Sequence, residues 1–124
     1  MHSNKFPKRE RLCSHYLIEH LFQPGHNRSF TAYPLRAVYS MQEATGDNPR
    51  QLLISVPKRQ FKHAVDRNRV KRQIREAYRA NRDVLNVAEG QSLLIAFIWL
   101  DNKHYPSSVI NAKVHNLLTR ISEA

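Results

Sequence analysis

Ten Lys and Arg side chains crowd into the stretch from Lys58 to Arg82, opposed only by Asp66 and Glu76. They are Lys58, Arg59, Lys62, Arg67, Arg69, Lys71, Arg72, Arg75, Arg79 and Arg82. On a helix turning about 100° per residue, Arg67, Lys71, Arg75, Arg79 and Arg82 share one stripe. Asn68 and Arg72 lie beside that stripe, and Arg69 points elsewhere. A charge run is ordinarily a solvated face, and such faces mix signs in i,i+4 pairs. Here Arg72 and Glu76 are so spaced, while most of the stripe has no acidic neighbour. Arg outnumbers Lys six to one in Arg67–Arg82. The guanidinium fork matches phosphate geometry, so the chemistry this stripe offers is phosphate binding, and nucleic acid is the ligand that presents phosphates in a row.

Hydrolytic chemistry is not written in the chain. No nucleophile elbow, H-E-x-x-H or paired-Cys set occurs. The histidines (His2, His15, His20, His26, His63, His104, His115) lack metal-ligand spacing, so no metal site is expected. With glycine only at Gly25, Gly46 and Gly90, a glycine-rich phosphate loop is excluded. Cys13 stands alone, which excludes an internal disulfide and fits a reducing, cytoplasmic setting.

Composition agrees with a polyanionic partner. Across 124 residues, 20 Lys and Arg face 10 Asp and Glu, for a net charge of +10. Such an excess opposes compaction unless an anion lies against it. The length fits one domain spanning 1–124, with residues 1–13 an extended basic segment. The longest apolar run, Leu93–Leu100, is far short of the ~18–20 residues of a membrane span. The beginning, MHSNKFPKRERLC, has no apolar core of a signal peptide.

The elements that must carry these residues are legible from periodicity. Ser14 can cap a short helix with Leu17, Ile18, Leu21 and Phe22 at one-turn spacing, ended by Pro24-Gly25. Phe30–Met41 reads as a strand at an edge or with a bulge at Pro34, preceded by a weaker strand around Arg28–Thr31. A loop over Met41–Arg50 leads to a strand at Leu52–Val56. His63–Asn81 is helical, with Val70, Ile74, Ala77 and Tyr78 on its apolar face. Leu93–Trp99, apolar throughout, predicts a central strand covered on both faces. Pro106 and Ser107-Ser108 open a last helix burying Ile110, Val114, Leu117, Leu118 and Ile121.

The run Arg67-Asn68-Arg69-Val70-Lys71-Arg72-Gln73-Ile74-Arg75-Glu76 resembles the signature helix of the bacterial ribonuclease P protein subunit. Lys8-Arg9-Glu10-Arg11-Leu12 resembles that family's basic entry to its first helix, and Ser55-Val56-Pro57-Lys58-Arg59 its strand end before the signature. The resemblance implies an α+β fold, an α/β sandwich of order αβββαβα with a left-handed βαβ crossover, against the usual hand. It also implies the activity. With a catalytic RNA, such a protein helps remove the 5′ leader of precursor tRNA, while Mg²⁺ held mainly by RNA and substrate performs the hydrolysis. The protein alone is then not catalytic.

Carried over by position, the resemblance makes Arg67, Asn68, Arg69, Lys71, Arg72 and Arg75 contacts for the RNA subunit. It makes Phe22 and Tyr33 stacking surfaces and Lys58 and Arg59 phosphate contacts for the leader. Aromatic faces and cations together suit a single strand. On the residues alone, Phe22 reads equally as a core aromatic. The chain departs from the family in three places. Ile18 stands where many members place a second cleft aromatic. Gln60-Phe61-Lys62-His63-Ala64-Val65 lacks a common glycine. Trp99-Leu100-Asp101-Asn102-Lys103 leaves Lys103 as its only cation. The alternative reading of helix 67–82 is a DNA-binding regulator, which the chain does not support with any zipper or helix-turn-helix spacing.

Overall fold

The computed structural model describes residues 25, 27–43, 50–85 and 91–124. The helix expected around Leu17–Phe22, with Phe22 and Ile18, lies outside them, as does Cys13. Four strands form one sheet: β1 (Arg28–Ala32), β2 (Leu35–Glu43), β3 (Arg50–Ser55) and β4 (Gln91–Trp99). Two helices complete the order, α1 (Ala64–Asn81) after β3 and α2 (Ser107–Glu123) after β4. The sheet order is β1-β2-β4-β3. β1–β2 and β2–β4 are antiparallel, and β3–β4 is parallel with α1 as the connection between them.

The single strand expected over Phe30–Met41 is instead two strands of a hairpin. Ala32 pairs with Leu35, so Tyr33 and Pro34 form the two-residue turn, and their peptide bond is cis. Pro34 has no N–H to give to a ladder, which places it naturally in the turn rather than within a strand. Its carbonyl still serves, accepting from the Leu100 N–H at 2.8 Å. β1 is an edge strand among the described residues. Arg120 covers part of it, donating from Nη1 to the Thr31 carbonyl at 3.1 Å with its guanidinium 5.7 Å from the Phe30 ring centroid.

From Leu93 to Trp99 β4 is apolar, flanked by a strand on each side and buried on both faces. Leu93, Ile95, Phe97 and Trp99 point to one face, with Leu35, Ala37, Tyr39 and Leu52 beside them. Val70, Ile74, Ala77 and Tyr78 of α1 and Ile110, Val114, Leu117, Leu118 and Ile121 of α2 close over that face. Each such side chain contributes roughly 1.5–3 kcal/mol by leaving water. Tyr78 meets Phe97 edge-on at 6.3 Å. On the sheet's other face, Val38, Leu94 and Ala96 form a second buried cluster with Leu53 and Ile98.

Polar contacts fix the two helices to each other. The Gln73 amide donates to the Tyr105 carbonyl at 3.1 Å and to Ser107 Oγ at 3.0 Å, tying the start of α2 to the middle of α1. Asn81 donates to the Ala77 carbonyl at 2.8 Å and to Asn111 Oδ1 at 2.9 Å. These bonds set the roll of α1 about its own axis. That roll decides which of its side chains face outward.

Candidate nucleic-acid interface

Val70, Ile74, Ala77 and Tyr78 are buried as the periodicity predicts. Gln73 and Asn81 occupy the flank of α1 toward α2. The opposite flank, by helical geometry, carries Arg67, Lys71, Arg75 and Arg79, and Arg82 begins the 3-10 turn that follows the helix. Asn68, Arg69 and Arg72 are exposed on the outer face, and Lys71 and Arg75 are half-buried along the flank. Packing therefore turns the signature outward except for its apolar positions and Gln73, which faces α2. The aliphatic stems of Lys71 and Arg75 can lie on the protein while their charges reach solvent.

Arg67 is tied to the backbone at the start of α1. Its Nη1 donates to the carbonyls of Phe61 at 2.8 Å and Lys62 at 3.0 Å. The side chain folds back over the entrance of α1, where His63 is the N-cap residue without a side-chain cap bond. Asp66 in the first turn suits the helix dipole and binds His104, whose Nε2 donates to Asp66 Oδ1 at 2.9 Å. The His104 ring also stacks on Phe61 with centroids 4.7 Å apart. The loop after β3 and the loop after β4 are thereby clipped together.

Tyr33, Lys58 and Arg59 reach the same end of the sheet. The registers Leu35↔Trp99 and Ser55↔Ile98 bring the hairpin tip and the end of β3 level with the last residues of β4. Tyr33 is 55% exposed at that tip. Lys58 and Arg59 are exposed in the turn closed by the Gln60 N–H on the Pro57 carbonyl at 3.0 Å. Three of the four expected leader contacts thus flank the end of β4, with the start of α1 beside them. The fourth, Phe22, lies outside the described residues.

Sequence reasoning missed a polar cluster at this end. Asp101 accepts from the Tyr105 hydroxyl at 2.5 Å and from the Asn102 N–H at 2.6 Å. The Tyr105 hydrogen bond, first among several causes, holds the Asp101 carboxyl below the usual carboxylate range. The same bond pushes Tyr105 up to about 12. Tyr33 is raised as well, by partial removal from water and then by the Asp101 carboxylate as acceptor and as charge. Tyr105 in turn meets the buried Trp99 edge-on at 5.5 Å. The sequence held a faint signal of this cluster: an acidic residue, Asp101, in a segment where the resemblance implied basic ones.

Among the described residues, no group of three or more His, Cys, Asp and Glu could hold a metal ion. The described residues also offer no helix long and apolar enough to cross a membrane. Away from the interface, a cavity of about 420 Å³ lies near the end of α2, lined by Asn27, Arg28, Tyr39 and Ile121 among others. It contains none of the residues singled out for nucleic acid.

A family model described as Ribonuclease P matches residues 6–122. The ribonuclease P protein component of Porphyromonas gingivalis (strain ATCC 33277) is 44% identical over 79 residues, covering 64% of this chain and 56% of that protein. The match thus spans little more than half the length of that relative. The corresponding component of Chlorobium phaeobacteroides (strain DSM 266) is 32% identical over 140 residues, covering 99% of this chain and 93% of the relative. Among solved structures, the RNase P protein from Thermotoga maritima superposes with a TM-score of 0.69 at 23% identity, covering 90% of this chain and 96% of that one. A mutant RNase P protein of Staphylococcus aureus gives 0.73 at 20% identity, with coverage of 94% and 90%. At such identities the structural likeness bears on the fold alone.

Proposed function

The chain belongs to the ribonuclease P protein family, and from that premise we propose that it serves as the protein subunit of ribonuclease P, acting with a catalytic RNA to remove the 5′ leader of precursor tRNA in the cytoplasm. The observation that carries the reading is the family match over residues 6–122 coinciding with an outward-facing signature on α1. Asn68, Arg69, Lys71, Arg72 and Arg75 bind the RNA subunit, with Arg67 contributing from the helix entrance. Tyr33 stacks on leader bases, Lys58 and Arg59 track the leader backbone, and Phe22 is a further leader contact by family resemblance alone. The family match gives no support to a DNA-binding regulator.

Hydrolysis in this reading belongs to the RNA and to Mg²⁺ bound mainly by RNA and substrate. The described residues do not fit a Mg²⁺ site: Asp101 is engaged by Tyr105 and Asn102, and Asp66 by His104. The protein's part is electrostatic, lowering repulsion between two polyanions. Affinity purification tests the assignment. The tagged protein should bring down one abundant structured RNA, and nuclease treatment should remove that species. Recovery of DNA, or of no defined RNA, would overturn it.

A further inference from the structure

We infer that Asp101 is a positioning residue for the leader-binding surface, its carboxylate lodged between Tyr105 and Tyr33 so as to set where the Tyr33 ring stands. The inference rests on the reading of Tyr33 as a leader contact, and it concerns a residue that lies outside both the signature and the Lys58-Arg59 turn.

The backbone brings the two residues together. β2 and β4 pair in antiparallel register up to Leu35↔Trp99. The Leu100 N–H bond to the Pro34 carbonyl, 2.8 Å, carries the pairing one step further. The next step of the same register sets Tyr33 against Asp101. The carboxylate is itself held, by the Tyr105 hydroxyl at 2.5 Å and the Asn102 N–H at 2.6 Å. Tyr105 is anchored to the core by its ring against Trp99, fully buried, and by its carbonyl, which accepts from Gln73 of α1. A chain of contacts therefore runs from the core through Tyr105 to Asp101, and the strand register sets Asp101 opposite a tyrosine that is 55% exposed.

The physical consequence is preorganisation. An exposed tyrosine at a hairpin tip samples several rotamers, and stacking a base on it requires that freedom to be lost on binding. A ring that the neighbouring Asp101 carboxylate confines would lose less. A carboxylate at this point also repels phosphate, so the strand is disposed to present base rather than backbone to Tyr33, leaving phosphates to Lys58 and Arg59. The proton affinity of Tyr33 is raised first by partial removal from water and then by the nearby Asp101 carboxylate, in keeping with that placement.

The test uses holoenzyme reconstituted with the catalytic RNA and compares the dissociation constants of precursor tRNA and mature tRNA. Asp101→Ala should weaken precursor tRNA about two- to tenfold, the worth of one immobilised side chain, with mature tRNA unchanged. Tyr33→Phe keeps the ring and Asp101 but removes the hydroxyl, and should lose about the same. In the Asp101→Ala background, Tyr33→Phe should cost nothing more. Asp101→Asn retains an acceptor and should recover most of the affinity. An ultraviolet titration gives a readout that packing alone would not move, since Asp101→Ala should bring a tyrosine that titrates near 12 back toward its ordinary value. If Tyr33→Ala costs precursor tRNA affinity while Asp101→Ala and Tyr33→Phe cost nothing, positioning is overturned and the leader contact stands. If Tyr33→Ala itself leaves the precursor-to-mature ratio unchanged, the leader reading fails and Asp101 goes with it. Equal losses for both tRNAs in Tyr33→Phe would also overturn the inference.

Discussion

The guanidinium of Arg67 donates to the backbone carbonyl of Phe61 at 2.8 Å, so the first residue of the signature is part of the fold as well as of the basic surface. A second bond from the same nitrogen reaches Lys62 at 3.0 Å. Together they close the entrance of a helix whose N-cap side chain makes no bond of its own. Arg67→Ala should therefore lower stability by about 1–2 kcal/mol, read by urea denaturation, because charged donors to backbone carbonyls are lost. Arg69→Ala, on an exposed side chain, should leave the unfolding midpoint within experimental scatter.

Lys71 and Arg75 separate binding from stability. Replacing both by Ala should flatten the log–log salt dependence of RNA-subunit binding by about 0.7–0.9 for each lost phosphate contact. Ile74, between them on the same helix but fully buried, should behave oppositely. Ile74→Ala should cost about 2–5 kcal/mol of folding stability and leave the salt slope of the folded fraction unchanged. A flat response to the charge substitutions would mean that the stripe is only solvated.

Lys58 distinguishes the leader surface from the RNA-subunit surface. It is exposed in the turn after β3 and lies outside the signature itself. Lys58→Ala should weaken precursor tRNA severalfold at physiological salt and spare both mature tRNA and assembly with the RNA subunit. Holoenzymes assembled at saturating protein and titrated with each tRNA provide the measurement. An equal loss for the two tRNAs would remove Lys58 from the leader path.

Much of this arrangement is legible in the residues. The spacing of Val70, Ile74, Ala77 and Tyr78 gives both the buried face of α1 and, by difference, its basic flank. The apolar run at Leu93–Trp99 gives the central strand. The hairpin was harder, because aromatic and branched residues continue across Tyr33-Pro34. Its trace is a change of phase: Phe30 and Ala32 face the core from even positions, Leu35, Ala37 and Tyr39 from odd ones. A two-residue turn accounts for that shift, whereas one uninterrupted strand would preserve the alternation. The Asp101–Tyr33 pairing has no periodicity at all. It follows from register between two strands whose paired residues lie 48 to 64 positions apart in the chain, which local pattern does not encode.

Titration of the Asp101 cluster should appear at both ends of the pH scale. The Asp101 carboxyl is held low by the Tyr105 hydroxyl, so its contribution is present above the ordinary carboxylate range and is lost as pH falls through the depressed native value. Tyr105 is raised to about 12, so its contribution is present below the ordinary tyrosine pKa of about 10 and is lost as pH rises through the native value. Asp101→Asn should remove the acid-side component from a pH series of denaturation midpoints. An unchanged acid limb would show that other carboxylates dominate it.

Cleavage of precursor tRNA, with the product 5′ end mapped to the nucleotide, tests the central assignment most directly. Three reactions at a low Mg²⁺ concentration suffice: the catalytic RNA alone, the protein alone, and the two combined. The account predicts slow cleavage by the RNA alone, none by the protein, and fast cleavage at the mature 5′ end by the combination. Cleavage by protein freed of RNA, or a combination no faster than the RNA alone, would contradict it.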